Sequence, residues 1–156
     1  MFDVIPRALH RDQEQMPFVD IGDGSQMQVL HIDIARELWV VRMRFQPGYA
    51  VPTHRHTGDV YAFTLSGSWH YLEYPEVNKA GSYLYEPAGS THTLNVPATN
   101  TEVTDVFFAV FGSNENLDAD GNVVSLWDAQ FINDGYRALC ELQGFDAPQI
   151  IGVEII

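Results

Sequence analysis

The chain has 156 residues, of which 46% are hydrophobic, enough for one domain that buries roughly 70% of the surface its unfolded form exposes. Its formal net charge is −13 and its pI about 4.5, a field that repels phosphate backbones and anionic membranes and so argues against nucleic-acid and membrane partners. Cys140 is the single cysteine, which rules out an internal disulfide and favours a reducing compartment. The opening MFDVIPRALHRDQEQ lacks a cationic segment followed by a long apolar run, so no secretory signal is read there. No stretch approaches the ~20 apolar residues of a membrane span. A cytoplasmic protein is expected.

Residues 1–25 read as a polar N-terminal arm. From Gln26 the pattern has period 2. In MQVLHIDI, Val29, His31 and Asp33 alternate with Leu30, Ile32 and Ile34, and in LWVVRMRF, Val41, Met43 and Phe45 face away from Arg42 and Arg44, as in half-buried strands. A turn is expected at Pro47-Gly48. VYAFTLSGSWHYLEY reads as two strands joined near Ser66-Gly67. GSYLYEP and THTLNVP read as short strands around the Pro87-Ala88-Gly89 bend, and the apolar EVTDVFFAVFG as a central strand. DADGN at Asp118 has Val123 and Ala129 where a calcium loop needs glycine and glutamate, so it reads as a hairpin turn. The pattern then becomes helical over residues 125–144. Ser125 and Asp128 suggest a capping box, Ala129, Ile132, Tyr136, Leu139 and Cys140 recur on one face, and Gly144 suits the position after the helix. Many short strands punctuated by Gly and Pro predict an all-β barrel or sandwich in a single domain of residues 1–156. The tail APQIIGVEII is either a further strand or a contact with a second subunit.

The chemistry concentrates in two blocks. His54 and His56 lie two apart on a predicted strand and share a face, which brings two imidazoles to one place. Gly48 precedes them by six residues and Gly67 follows His56 by eleven. The second block, GSYLYEPAGSTH, spaces Gly81, Pro87, Gly89 and His92. His10 and His31 have no comparable spacing, His70 falls opposite Trp69 and Tyr71, and Cys140 fits helix packing better than nucleophilic chemistry.

These two blocks resemble the paired motifs of the cupin superfamily, over roughly residues 26–112. Two positions depart from the pattern: Val60 stands where the first motif has glutamate, and Val96 where the second has asparagine, with Asn95 one residue early. The resemblance implies a double-stranded β-helix, the jelly-roll barrel, followed by the C-terminal helix. The wording between the motifs is similar to the 2,4′-dihydroxyacetophenone dioxygenases and, more distantly, to the acetylacetone dioxygenases. Those enzymes cleave a carbon–carbon bond with O2 at a non-haem iron held by three histidines. The resemblance therefore implies His54, His56 and His92 as ligands of a divalent metal, Fe(II) first, although three imidazoles also accept Ni, Cu or Zn. It further implies a small α-hydroxy ketone or β-diketone and O2 as the molecules bound.

Alternation places Val60, Ala62 and Thr64 toward the metal side, with Trp69, Tyr71 and Glu73 on the return strand and Leu84 and Glu86 inward beside His92. Glu86 is the candidate catalytic base, with a pKa expected to be raised by burial; Glu73 is the rival for a fourth ligand. Phe63, Trp69, Tyr71, Phe107 and Phe108 are expected to supply stacking surface near the lumen. Two rivals stand beside the dioxygenase: a cupin isomerase acting on sugar phosphates, disfavoured by the lack of lumen cations, and a non-enzymatic metal- or ligand-binding cupin. The apolar tail and helix rows lead to the expectation of a homodimer with the arm or the tail at its interface.

Overall fold

The computed structural model describes residues 6–153. A 3-10 turn at Gln13–Gln15 leads into β1 (Val19–Asp20), β2 (Ser25–Asp33) and β3 (Leu38–Phe45). Next come β4 (His54–His56), β5 (Val60–Ser66), β6 (Ser68–Tyr71) and β7 (Val77–Lys79). They are followed by β8 (Tyr83–Glu86), β9 (Thr91–His92), β10 (Leu94–Asn95) and β11 (Thr104–Phe111). β12 (Asn114–Leu117), β13 (Val123–Trp127) and one helix, α1 (Ala129–Leu142), complete the described chain. The expected all-β architecture with a C-terminal helix is what forms. Three antiparallel sheets result, of six strands (β1-β2-β3-β11-β5-β8), four strands (β13-β12-β4-β9) and three strands (β10-β6-β7). The apolar β11 is central, hydrogen-bonded to β3 and β5. Among the described residues no helix is long and apolar enough to cross a membrane.

Two buried clusters hold these layers together. One lies between the six-stranded sheet and α1, where Ile132, Tyr136 and Cys140 meet Val29, Ile32 and Val41. The other lies between that sheet and the three-stranded one, built on Phe45, Trp69, Leu94 and Val106. Each fully buried side chain of this size contributes about 1.5–3 kcal/mol relative to exposure. The β5–β6 link changes sheet rather than forming a hairpin. Gly67 makes the corner with φ of +73°, and a Cβ there would strike Thr104, so both conformation and space require glycine. At the other block, Gly89 (φ +89°) donates its N–H to the His56 carbonyl at 2.7 Å, tying the second motif's bend to the first motif's strand.

Several expectations need correction. Strict alternation in β2 fails because the register with β3 shifts between Val29 and His31, a bulge that turns both Val29 and Ile32 inward. The helix starts at Ala129 rather than 125. Ser125 is taken into β13, opposite Asn116, and Asp128 alone caps the helix by accepting from the Phe131 N–H at 2.8 Å. Gly144 follows the helix at φ +80° as read.

The arm expected over residues 1–25 is part of the fold from Met16 onward. Met16 and Val19 are buried, and β1 pairs with β2. Residues 1–5 lie outside the described residues. The tail adds to the chain's own sheet: the Ile151 N–H donates to the Leu30 carbonyl at 3.1 Å and the Ile151 carbonyl accepts from the Ile32 N–H at 2.9 Å. Arg11 and Gln15 fasten the N-terminal segment to Gln149.

Candidate metal centre

The three predicted histidines converge. β4 presents His54 and His56 on one face, and β9 lies antiparallel to it with His54 and His92 as direct partners. All three are buried. Their ring centroids stand 4.8–4.9 Å apart, and one ring nitrogen from each falls within 4.8 Å of the other two. A carbonyl can only accept, so His54 donates from Nδ1 to the Pro52 oxygen at 3.0 Å, which leaves its Nε2 lone pair free. The Tyr71 ring stacks on His92 with centroids 3.8 Å apart.

Glu86 closes the cluster. Its Oε2 lies 3.1 Å from His56 Nε2 and its Oε1 3.6 Å from His92 Nε2, and the carboxylate is buried with the rings. The Tyr71 hydroxyl donates to Oε1. Glu86 is the direct cross-strand partner of Val60. The carboxylate absent at position 60 is therefore supplied by the neighbouring strand, on the same inward face. Glu73 is elsewhere: it is exposed, and Thr93 donates to it from both N–H and hydroxyl at 2.8 and 2.7 Å. It is no fourth member of this cluster.

The donor set fits a divalent cation. His56 Nε2, His92 Nε2 and Glu86 Oε2 are buried without a hydrogen-bond partner among the described residues. Leaving a buried polar atom unsatisfied costs about 1–3 kcal/mol, and one cation held between these atoms would satisfy several at once. The protonation equilibria agree. Burial lowers the pKa of His54 despite its bond to Pro52, and lowers that of His92 to about 4 despite Glu86. Both imidazoles are thus neutral at pH 7, as metal ligands must be.

Burial alone would raise the pKa of Glu86. Its neighbours His56 and His92 and the Tyr71 hydroxyl outweigh it, so the pKa is lowered. This corrects the expectation of a raised value, which counted burial and no neighbours. Tyr71 stays protonated, its pKa pushed well above the usual value by burial and by Glu86.

A cavity of about 500 Å³ opens from the cluster, bounded by His54, His56, Tyr71 and Glu86 at one end and by Ile132 and Leu139 of α1 at the other. Met27, Trp39, Val41, Met43 and Phe108 make its walls apolar, and no Lys or Arg among the described residues lines it. Two of the five expected aromatics line it. Tyr71 and Phe108 face the cavity, and Trp69 is buried core behind it. Phe63 and Phe107 lie on the opposite face of the sheet, where they line a separate surface groove. The sequence reading missed Asn114 and Asn116. β12 sets them directly beside His56 and His54, both line the cavity, and the Asn114 Oδ1 is buried with no partner. Their N-x-N alternation in GSNENL was the available signal.

A model of the ChrR cupin-like domain matches residues 7–113. The chain belongs to this cupin family. No curated protein matches it. Among solved structures, a cupin-like protein of unknown function from Ralstonia eutropha JMP134 is 34% identical over 99% of both chains, with a TM-score of 0.89. An RmlC-like cupin from the same organism is 25% identical over 91% of this chain and 93% of its own, at a TM-score of 0.84. An acetylacetone dioxygenase from Acinetobacter johnsonii is 16% identical over 89% of this chain and 96% of its own, at a TM-score of 0.72; at that identity the likeness is one of fold. The cupin has, in these three buried histidines, a group able to hold a metal ion.

Proposed function

We propose that this cupin is a metal-dependent dioxygenase that cleaves a carbon–carbon bond of a small, neutral α-hydroxy ketone or β-diketone, of the kind taken by 2,4′-dihydroxyacetophenone dioxygenase. The observation that carries the reading is the pairing of a three-histidine cluster with an apolar cavity free of cations. His54, His56 and His92 would hold the ion, Fe(II) in the working enzyme. When bound, it would supply Lewis acidity toward the substrate and redox chemistry toward O2.

The chain's own residues do the rest. The walls around Met27, Trp39 and Phe108 take the apolar body of the substrate and keep water from the reacting end. Glu86, held ionised, accepts the proton that a diketone or hydroxy ketone loses on enolisation. Tyr71 donates to Glu86 and packs on His92, so one side chain orients both. The absence of Lys and Arg from the cavity lining argues against a sugar-phosphate isomerase, whose substrate needs cations.

The second reading is a metal- or ligand-binding module without turnover, favoured by the matched family model, which describes a ChrR cupin-like domain rather than an enzyme. Fe(II)-loaded protein is to be assayed for O2 uptake on a panel of β-diketones and aryl hydroxy ketones. Uptake that requires His54 is the expected result. One iron per chain with no uptake on any member would leave the binding module.

A further inference from the structure

Midway along α1 (Ala129–Leu142) stands Gly135, a glycine that the fold itself does not require. A glycine inside a helix weakens it relative to alanine, because it loses the most backbone freedom on folding. Two structural needs commonly keep one in place, a left-handed φ or a close approach. Neither applies here. Its φ is not positive, and an added Cβ would meet nothing within 4 Å. Gly58 and Gly67 are the contrast: a Cβ would strike Phe111 at the first and Thr104 at the second.

The open space beside Gly135 is the cavity. Gly135 lines it together with Ile132 and Leu139, its neighbours at i−3 and i+4 on the same helix face. Between those two large side chains it makes a notch. On the adjacent stripe of the helix, Tyr136 and Cys140 are fully packed against the six-stranded sheet. A leucine at 135 would suit the helix better and would close the notch with apolar contact. The helix gives up stability to hold that end open.

The chemistry of the two ends differs. The histidines, Tyr71 and Glu86 make one end polar, and α1 makes the other apolar. No Lys or Arg among the described residues lines the cavity to receive an anion. Asp23, the lining acid besides Glu86, accepts hydrogen bonds from Ser25 and Tyr49. A volume of about 500 Å³ lies in the range that takes drug-sized ligands, more room than the smallest diketones fill. We propose that Gly135 determines specificity: it keeps the α1 end of the cavity open for an uncharged aryl or alkyl tail, on a ligand whose oxygenated head lies at the histidine cluster. This rests on the reading of the cavity as a ketone site and adds what its far end selects.

Calorimetric titration of zinc-loaded protein, a form without turnover, tests it. The probes are phenacyl alcohol and its para-alkyl series from methyl to butyl. Each methylene that enters apolar surroundings tightens binding up to about fourfold, so the butyl member should bind wild type at least ~10-fold tighter than the parent. Gly135→Leu should reduce that gain to within ~2-fold, while its unfolding temperature rises by about 2 °C or more. Gly135→Ala adds one methyl group and serves if the leucine variant fails to fold. It too should melt higher, and the gain along the series should stop about one carbon earlier. Stability and tail preference moving in opposite directions is what a merely structural glycine would not give. A flat series in wild type, or no binding of any member, would overturn the proposal. So would variants that keep the full gain, or an alanine variant that melts lower. Full gain in wild type, lost in the variants, with no O2 uptake by iron-loaded protein would uphold the role of Gly135 and count against the dioxygenase. O2 uptake on short ketones with a flat alkyl series would do the reverse.

Discussion

The two faces of the six-stranded sheet use the same strands for opposite purposes, and side-chain size tells them apart. Along β5 the inward positions are Val60, Ala62 and Thr64, all buried, while the outward ones are Tyr61, Phe63 and Leu65. A sheet that only filled a core would put its larger residues inside. On β5 the inner face carries small ones, and Val60, beside the histidine cluster, borders a cavity of about 500 Å³ otherwise walled by Met27, Trp39, Met43 and Phe108. Interiors pack at crystal-like density unless something keeps space open, and the small Val60 leaves room beside the histidines, while the large β5 residues stand on the solvent side.

The comparison predicts that inner-face changes act on the metal and outer-face changes do not. The largest effect belongs to His92→Ala. Removing partners that merely orient a ligand costs 10–100-fold in metal affinity, so removing a ligand should cost more than ~100-fold. Metal analysis after dialysis against a competing chelator measures it, and unchanged stoichiometry and affinity would mean the ion sits elsewhere or not at all.

Next is the acid response of the metal-free protein. The pKa of His92 falls from 6.5 to about 4 on folding and that of His54 falls too, both through burial. The unfolded chain therefore binds protons that the folded one refuses, and stability drops as pH falls through 6.5 toward 4. For His92 alone the full shift amounts to about 3 kcal/mol. Chelator-treated protein should lose a large part of its unfolding free energy between pH 7 and pH 4.5 in urea titrations. A flat profile would mean these imidazoles are solvated in the absence of metal.

Glu86→Gln keeps the shape of the side chain and removes its charge. Turnover on the true substrate should fall by about 10²-fold, the low end for loss of a general base, with metal content near normal. If metal is lost instead, Glu86 is itself a ligand, a role its 3.1 Å approach to His56 Nε2 makes geometrically open. Its lowered pKa makes it a weaker base than a simple burial argument suggests, so an effect well below 10²-fold would assign it to positioning His56.

Much of this was legible because both codes involved are local. Period-2 patterning marked β3 and β5, an unbroken apolar run marked β11, and the glycine and histidine spacing marked β4 and β9. What was not legible depends on register or on competition. The Val60–Glu86 pairing that restores an inward carboxylate arises between strands distant in sequence, and no local spacing encodes it. The bulge in β2 leaves composition unchanged. Ser125 and Asp128 both suit a helix cap, and only the β12–β13 pairing decides between them. Asn114 and Asn116 look like ordinary strand polar residues until β12 sets them against His56 and His54. The outward side of Phe63 followed from the alternation that placed Val60 inward, and Phe107 and Phe108, adjacent on one strand, could not both face the lumen, but their aromatic character suggested the lumen more strongly than parity did.

The smallest effect makes the sharpest test, because it uses a neighbour of the residue with one of the largest. Tyr85 directly precedes Glu86 on β8, and the pleat turns it to the opposite face. It is 48% exposed, and its ring meets Tyr61 at 5.6 Å between centroids. Such a pair is worth about 0.5–1.5 kcal/mol beyond area burial, less when half solvated. Tyr85→Ser should thus change unfolding free energy by roughly 0.5–1 kcal/mol, measured at concentrations low enough that association adds nothing. Metal affinity and turnover per active site should stay within twofold of wild type. If Tyr85→Ser instead emptied the metal site, the backbone of β8 would be transmitting strain between faces. The separation of an inner face that holds the metal cluster from an outer face open to solvent would then fail at the strand where the two lie closest.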